Sequence, residues 1–156
     1  MSVSTKARVD VQLAVDGDGI PDIAAICDWV RLTLDAAEVA GPLEVSVRII
    51  DSGEMQSLNR RYRDRDKPTN VLSFPAGQVA GLPPDEPRAL GDIVVCAPLV
   101  LEEAADQGKP VEHHWAHMLV HGTLHLLGYD HESDGDAHEM EQLEARILEL
   151  AGISNP

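Results

Sequence analysis

Two segments near the start of the chain alternate apolar and polar residues, a period of two that predicts half-buried β-strands. The apolar positions are Val9, Val11, Leu13 and Val15 in the first segment and Val45, Val47 and Ile49 in the second, which spans residues 43–51. Between the two segments, apolar residues recur every three or four positions, which predicts an amphipathic helix over residues 21–39. The expected inward side chains of this helix are Ile23, Ile26, Cys27, Val30 and Leu34.

The rest of the chain predicts two more strands and four more helices. Strands are expected over residues 70–74 and 92–96, separated by a loop rich in proline and glycine over residues 75–88. Helices are expected from Ser52, as the capping residue, to Tyr62, from Pro98 to Gln107, and over residues 111–127 and 136–151. This order predicts an α+β fold, in which a small mixed sheet of about four strands packs with about five helices.

The length and composition predict a single domain, and the sequence predicts a location inside the cell. The chain has 156 residues, of which 44% are hydrophobic, enough for the core of one domain. Residues 1–8 lack the apolar run of a signal peptide, and no segment approaches the roughly 20 apolar residues of a membrane span. We therefore expect a cytoplasmic protein without a membrane partner. Cys27 and Cys96 are expected to be small buried residues, since two thiols make no disulfide framework.

The formal net charge of −15 argues against a general nucleic-acid binder, because affinity for phosphate grows with the number of Lys and Arg side chains. No binding to DNA is expected. The few basic residues nevertheless cluster, and Arg60, Arg61, Arg63, Arg65 and Lys67 form a basic stripe. Such a stripe is often only a solvated surface, but beside a hydrolytic metal site it would guide an anionic polymer into one groove.

Three histidines within residues 121–131 have the spacing of metal ligands. His121 and His125 are one helical turn apart, so their side chains lie on the same face of the predicted helix. Gly128 can take the left-handed conformation that ends a helix, and His131 can then fold back toward the same ion. Three nitrogen ligands leave a fourth position open for water, as in catalytic zinc sites. The segment therefore predicts one metal ion per chain, with zinc first and another divalent transition metal as the alternative.

Residues near this segment leave other assignments open. His114 and His117 fall on the same side of the predicted helix as His121. A rival pair of metal ligands, His117 with His121 in place of His121 with His125, is therefore sterically possible. If they are not ligands, His114 and His117 are either groups next to the ligand imidazoles or polar residues beside a cleft. Asp130 is either an acceptor that fixes the tautomer of a ligand imidazole or a turn-forming residue.

The pattern of a calcium-binding loop overlaps the same segment. It is approximated by Asp130, Glu132, Asp134, Gly135 and Glu141. The third position is Glu where the pattern has Asp or Asn, and the sequence has no second loop to pair with it. A simpler interpretation is that Ser133 or Asp134 caps an acidic final helix, whose first turn favours negative charge.

The histidine spacing also matches that of the metzincin peptidases, whose motif places a glutamate directly after the first histidine. This chain has Gly122 at that position, and a glycine can neither take nor give a proton. A zinc peptidase would therefore need a carboxylate from elsewhere in the fold.

The same residues, read as H-G-x-L-H-L-x-G-Y-D-H, resemble the YbeY-type endoribonucleases that act in ribosomal RNA maturation. Residues 63–75, 91–94 and 114–117 resemble the other signatures of that family, in the family's order. The resemblance covers the chain from about residue 43 onward, and before that only the strand-then-helix pattern matches. It implies an α+β fold and a metal-dependent endoribonuclease specific for single-stranded RNA. It further implies a role in 16S ribosomal RNA 3′ processing and ribosome quality control, with ribosome-associated proteins as partners.

The expected site roles combine this resemblance with side-chain chemistry. Arg63 matches an arginine that the family uses in its active cleft, and its guanidinium can hold two phosphate oxygens. His121 is expected to act in catalysis, as a ligand of the ion that activates water or polarises the scissile phosphate. Ser73 and the remaining residues of the basic stripe are expected to bind substrate. A non-catalytic ribosome-assembly factor, in which the metal only joins the last two helices, is the remaining alternative.

Overall fold

The computed structural model describes residues 6–39, 41–76, 87–129 and 134–153. Its elements are, in chain order, β1 (Lys6–Leu13), α1 (Ile23–Ala36), β2 (Pro42–Ile50), α2 (Ser52–Arg63), β3 (Val71–Pro75), β4 (Arg88–Cys96), α3 (Ala97–Gln107), α4 (Val111–Leu126) and α5 (Asp134–Leu150). Each predicted strand and helix therefore has a counterpart. Within the described ranges, no helix is long and apolar enough to cross a membrane.

The four strands form one sheet in the order β1-β2-β4-β3. Strands β1, β2 and β4 are parallel, and β3 runs antiparallel to β4 at one edge. Helix α1 supplies the crossover that the parallel neighbours β1 and β2 require. A mixed four-stranded sheet, together with the five helices of the described ranges, confirms the predicted α+β class.

Apolar side chains pack on both faces of the sheet. Successive residues of a strand point to opposite faces, so Ile93 and Val95 of β4 belong to one core while Val94 and Cys96 belong to the other. The larger core lies between the sheet and helices α1, α4 and α5, and the smaller core lies between the sheet and α2. Buried residues lie on most sides of α4, which places this helix in the centre of the larger core.

The structure corrects two predictions at helix starts. Helix α2 is capped by Asp51 rather than Ser52, because the Asp51 carboxylate accepts a hydrogen bond from the backbone N–H of Glu54 at 2.9 Å. Ile23 is expected to face inward, but it is the first residue of α1 and is 48% exposed. The buried part of α1 begins at Ile26, which is fully enclosed.

Strand β4 is longer than its sequence pattern predicts, since it begins at Arg88 instead of residue 92. The added residues pair with β2, where Arg88 lies opposite Leu43 and Ala89 lies opposite Glu44. Arg88 and Ala89 are both exposed. Main-chain hydrogen bonds therefore hold them in the sheet, although their sequence lacks the alternation of apolar and polar residues that is typical of a half-buried strand.

Helix α4 comes very close to the sheet at Gly122. A Cβ atom added at this position would lie 2.9 Å from Cγ2 of Ile93 and 3.2 Å from Cγ2 of Val71. Carbon atoms in favourable contact lie about 3.5–4.0 Å apart, so a side chain does not fit here. The Ser73 hydroxyl donates a hydrogen bond to the Gly122 carbonyl at 2.8 Å, which joins β3 to α4 at the same point.

Gly122→Ala should lower the free energy of unfolding, because overpacking against Ile93 costs about 1–3 kcal/mol. The better helix propensity of alanine offsets up to about 1 kcal/mol of this loss. Gly135→Ala in α5 is the matched control: no atom of the described residues lies within 4 Å of its added Cβ, so the same substitution should stabilise the protein slightly. Urea unfolding measures both changes, and equal stabilisation by the two would contradict the close approach at Gly122.

Candidate metal centre

Four histidines form a row along the least buried side of α4. Between residues 113 and 126, every residue is buried except His113, His117, His121 and His125, which are half-buried. Their spacing of four positions puts them one above the other on the helix. Because the other sides of α4 are packed into the core, this row is the side from which the helix can offer metal ligands.

The rings of His121 and His125 face each other. Their Nε2 atoms lie 3.0 Å apart, and their ring centroids lie 4.6 Å apart. Two nitrogens that each lie about 2.0–2.1 Å from one tetrahedral zinc ion are about 3.3 Å apart. The two imidazoles therefore converge at nearly the separation that a shared ion requires, and nitrogen donors suit zinc.

The turn after α4 has the conformation that the sequence predicts. Gly128 has a φ of +98°, in the left-handed region, and the N–H of Tyr129 donates to the carbonyl of Leu124 at 3.1 Å. His131, the third expected ligand, and Asp130, the candidate acceptor for a ligand imidazole, lie outside the described residues.

The described part of the calcium-loop pattern is helical. Helix α5 begins at Asp134, so Gly135 and Glu141 lie on one continuous helix. In a calcium loop the glycine instead lies in a sharp turn around the ion. Asp130 and Glu132 lie outside the described ranges. The helix at Asp134 therefore favours the simpler interpretation, an acidic final helix.

Glu144 of α5 is a residue that sequence reasoning missed. One of its carboxylate oxygens lies 2.5 Å from Nε2 of His117, and the other lies 2.8 Å from Nδ1 of His121. Its side chain is only 14% exposed. No sequence pattern marks it, because Glu144 is one of several acidic residues of α5 and lies on a different helix from the histidines.

Glu144 is ionised despite its burial. Burial alone raises the pKa of this carboxyl group, but hydrogen bonds with His117 and His121 outweigh burial and lower the pKa from 4.5 to about 2. A fixed negative charge therefore lies next to the histidine row at neutral pH.

The residues around Glu144 form a second arrangement that could hold a metal. The ligand atoms of His117, His121 and Glu144 all lie within 4.8 Å of one another. This set includes His117 and His121, the rival pair of metal ligands that the sequence left open. The nitrogen of His121 that contacts Glu144 is Nδ1, whereas the nitrogen that contacts His125 is Nε2. The described residues thus present two adjacent ligand arrangements that share His121.

His114 does not join the row, although helical projection puts it on the same side. Its side chain is 3% exposed, and its Nε2 lies 2.8 Å from a carboxylate oxygen of Glu103 on α3. Glu103 also accepts hydrogen bonds from the side-chain amide of Asn70 at 3.2 Å. His114 therefore connects α4 to α3 and to the segment before β3.

Arg63 lies across the edge strand β3 from α4. Its guanidinium is 5.4 Å from the centroid of the Phe74 ring, and its Nη2 donates a hydrogen bond to the Ser73 carbonyl at 3.0 Å. The Ser73 hydroxyl donates in turn to Gly122, the neighbour of His121. One residue of β3 therefore connects Arg63 to the helix that carries the histidines. The single hydroxyl proton of Ser73 is used in this contact.

The remaining members of the basic stripe, Arg60, Arg61, Arg65 and Lys67, are exposed. Asp66 lies among them, with a carboxylate oxygen 3.9 Å from Nη1 of Arg60. Gln56 also donates a hydrogen bond to Asp66 at 3.1 Å. Exposed pairs of this kind contribute little stability, so the stripe is free to rearrange around an anion.

Within the part of the chain that the structure describes, the surroundings of His121 argue against a zinc peptidase. The position of the peptidase glutamate is Gly122, where Ile93 and Val71 leave no room for a carboxylate. The nearby carboxylate of Glu144 lies on the Nδ1 side of His121, and both of its oxygens contact imidazoles. Neither position offers a base facing Nε2 of His121.

Residues 21–152 match the model of the family described as endoribonuclease YbeY. The chain belongs to the YbeY family. It is 52% identical over 142 residues to the endoribonuclease YbeY of Halorhodospira halophila, an alignment that covers 91% of each chain. It is 53% identical over 139 residues to the endoribonuclease YbeY of Alkalilimnicola ehrlichii, with 88% of this chain and 82% of the relative covered.

The fold is also similar to a solved structure, the solution structure of TM1509 from Thermotoga maritima. The TM-score is 0.57 at 28% sequence identity, with 89% of this chain and 87% of the other covered. The similarity therefore extends over most of both chains.

His114 should have a pKa below the ordinary histidine value of 6.5. Burial lowers this pKa and outweighs the hydrogen bond with Glu103, which raises it. The unfolded chain takes up a proton near pH 6.5, and the folded protein does so only at a lower pH. The stability contributed by neutral His114 is therefore present above about pH 6.5 and is lost as the pH falls through the folded pKa.

NMR titration of the imidazole resonances measures this pKa directly. His114→Gln is the matched variant, because glutamine keeps a donor for Glu103 but does not titrate. Between about pH 7 and about pH 5, its free energy of unfolding should fall less steeply than that of the wild type. A measured pKa at or above 6.5 would contradict the burial argument.

Proposed function

We propose that this member of the YbeY family is a metal-dependent endoribonuclease that cuts single-stranded RNA. Its proposed place is ribosomal RNA maturation, at the 3′ end of 16S RNA, and ribosome quality control. The support is the match to the family and two relatives, 52% and 53% identical, that are named as endoribonucleases. We further propose that the whole chain acts as one hydrolase domain in the cytoplasm.

The observation that carries the proposal is the convergence of the Nε2 atoms of His121 and His125, 3.0 Å apart, on one helix. We propose that His121, His125 and His131 hold one zinc ion, with another divalent transition metal as the alternative. When bound, the ion supplies a Lewis acid that activates water and polarises a phosphate oxygen.

Arg63 is the proposed binding residue for the scissile phosphate. Its guanidinium can hold two phosphate oxygens and offset the charge that develops in the transition state. The supporting contacts are those with the Ser73 carbonyl and the Phe74 ring, which orient an otherwise exposed side chain. A donor that is oriented in advance needs little reorganisation during the reaction.

The other residues of the basic stripe are proposed to attract and line the RNA. The chain has a net charge of −15, so an anionic polymer is repelled by most of the surface and attracted at the stripe. Ser73 is proposed to contribute to substrate binding indirectly, because its carbonyl accepts a hydrogen bond from Arg63 and orients that guanidinium. Ribosomal RNA and ribosome-associated proteins are the proposed partners, with no DNA or membrane partner.

His125→Ala should release the ion. The wild-type protein should hold about one zinc ion per chain, and fewer imidazoles retain it poorly. His113→Ala, at another half-buried histidine of the same row, is the control and should keep the ion. Elemental analysis of the purified proteins measures occupancy. Full occupancy in His125→Ala, with loss in His117→Ala, would favour the arrangement around Glu144 instead.

Arg63→Ala should keep the fold and the ion but lower the rate of RNA cleavage by about 10²- to 10³-fold, since it removes a donor to the developing charge. Arg63→Lys should restore only part of the rate, because an ammonium group cannot make the bidentate contact. Cleavage of a single-stranded RNA at two salt concentrations, with zinc content determined in parallel, tests this expectation.

Arg60→Ala and Arg61→Ala are the matched controls within the stripe. Each should weaken RNA binding modestly and reduce the log–log salt slope by about one unit. Equal losses in all four variants, suppressed by salt to the same degree, would leave Arg63 as a docking residue only. Undiminished cleavage after chelation would contradict the proposed metal dependence.

A further inference from the structure

We propose that Glu144 is a positioning residue that selects which nitrogen of His121 binds the ion. Its carboxylate accepts the Nδ1 proton of His121, so that the unprotonated Nε2 of the same ring faces His125. This inference rests on the metal site proposed above. It adds to that site a residue from α5, which fixes the tautomer and the orientation of one ligand imidazole before the ion binds.

The distances around His121 support this role. An oxygen of Glu144 lies 2.8 Å from Nδ1 of His121, and Nε2 of His121 lies 3.0 Å from Nε2 of His125. The two nitrogens of an imidazole point in different directions, so the contact with Glu144 directs Nε2 away from α5. A neutral imidazole has one donor and one acceptor nitrogen, and a proton held on Nδ1 therefore makes Nε2 the ligand.

His117 explains why Glu144 acts only as an acceptor. Nδ1 of His117 is buried and has no hydrogen-bond partner among the described residues. A proton on that nitrogen would have no acceptor, whereas a proton on Nε2 is donated to Glu144 at 2.5 Å. Glu144 thus receives one hydrogen bond on each oxygen, from His117 and from His121, and these two contacts fix its orientation.

In the rival arrangement, His117, His121 and Glu144 are themselves the ligands. Ligand atoms that share one tetrahedral ion lie about 3.3 Å apart. The oxygens of Glu144 lie 2.5 Å and 2.8 Å from the two imidazole nitrogens, which are hydrogen-bond distances. The Nε2 atoms of His121 and His125, at 3.0 Å, are also within hydrogen-bond distance, but they come closer to the separation of two ligands. The geometry therefore favours Glu144 as a support for the ligand.

The first test uses the wild-type protein loaded with zinc and does not depend on activity. Nitrogen-15 NMR of the histidine side chains at constant neutral pH reports which ring nitrogen carries a proton and which is bound to zinc. We expect His121 to carry its proton on Nδ1 and to bind zinc through Nε2. Zinc bound through Nδ1 of His121 would overturn the inference.

The second test compares Glu144→Gln with Glu149→Gln, the same substitution at an exposed position of α5. A glutamine keeps one oxygen acceptor but presents an amide NH₂ to the other imidazole. Zinc affinity, measured by competition with a chromophoric chelator, should fall about 10- to 100-fold in Glu144→Gln. It should be unchanged in Glu149→Gln. The ion count should remain one per chain, and X-ray absorption should report the same nitrogen ligands as in the wild type.

The possible outcomes separate this inference from the proposed function. Wild-type affinity in Glu144→Gln would overturn the positioning role. Loss of a coordinated oxygen in Glu144→Gln, together with loss of the ion in His117→Ala, would overturn it in favour of the rival set. If the wild type binds no zinc, the proposed metal site itself fails. If Glu144→Gln does not fold, the NMR assignment of the wild-type protein decides alone.

Discussion

The contact of α4 with the sheet at Gly122 determines how the histidine row lies relative to strand β3. Because no side chain separates the helix from Ile93, Ser73 can donate a hydrogen bond to the backbone of α4. The carbonyl of the same Ser73 accepts a hydrogen bond from Arg63. The row of imidazoles and the guanidinium are therefore held in fixed relation by one glycine and one strand residue. The proposed chemistry needs both groups, and both lie on helices, Arg63 at the end of α2 and the imidazoles on α4.

Several acidic side chains near the site are engaged in polar contacts, against the trend of a chain with a net charge of −15. Glu144 accepts hydrogen bonds from two imidazoles, Glu103 is held by His114, and Asp66 lies near Arg60. An engaged carboxylate presents less uncompensated charge to an approaching anion than an isolated one does. The local pairing therefore reduces, at these three carboxylates, the repulsion that an acidic protein exerts on a polyanionic substrate.

Periodicity was sufficient to predict the elements and the neighbouring positions of His121 and His125 on one helix face, because both follow from how a strand or a helix projects its side chains. It was insufficient wherever a contact between different elements determines the position of a side chain. Helical projection groups His114 with the histidine row, but in the structure it lies in the core and contacts Glu103 of another helix. Glu144 reaches the site only because α5 packs on α4, and no local pattern distinguishes it from other acidic residues. The hydrogen bonds that connect Arg63 through Ser73 to α4 likewise depend on the position of β3 in the sheet. The sequence pattern does not specify the order of the strands.

The space at Gly122 also bears on how such a site can change during evolution. Two hydrolase motifs share the same histidine spacing and differ at this one position, so a single substitution would seem enough to convert one into the other. Here a larger residue would force α4 away from Ile93 and Val71 and would disturb the hydrogen bond from Ser73. The close contact between helix and sheet therefore keeps the glutamate of the peptidase motif out of this position, although the histidine spacing is the same.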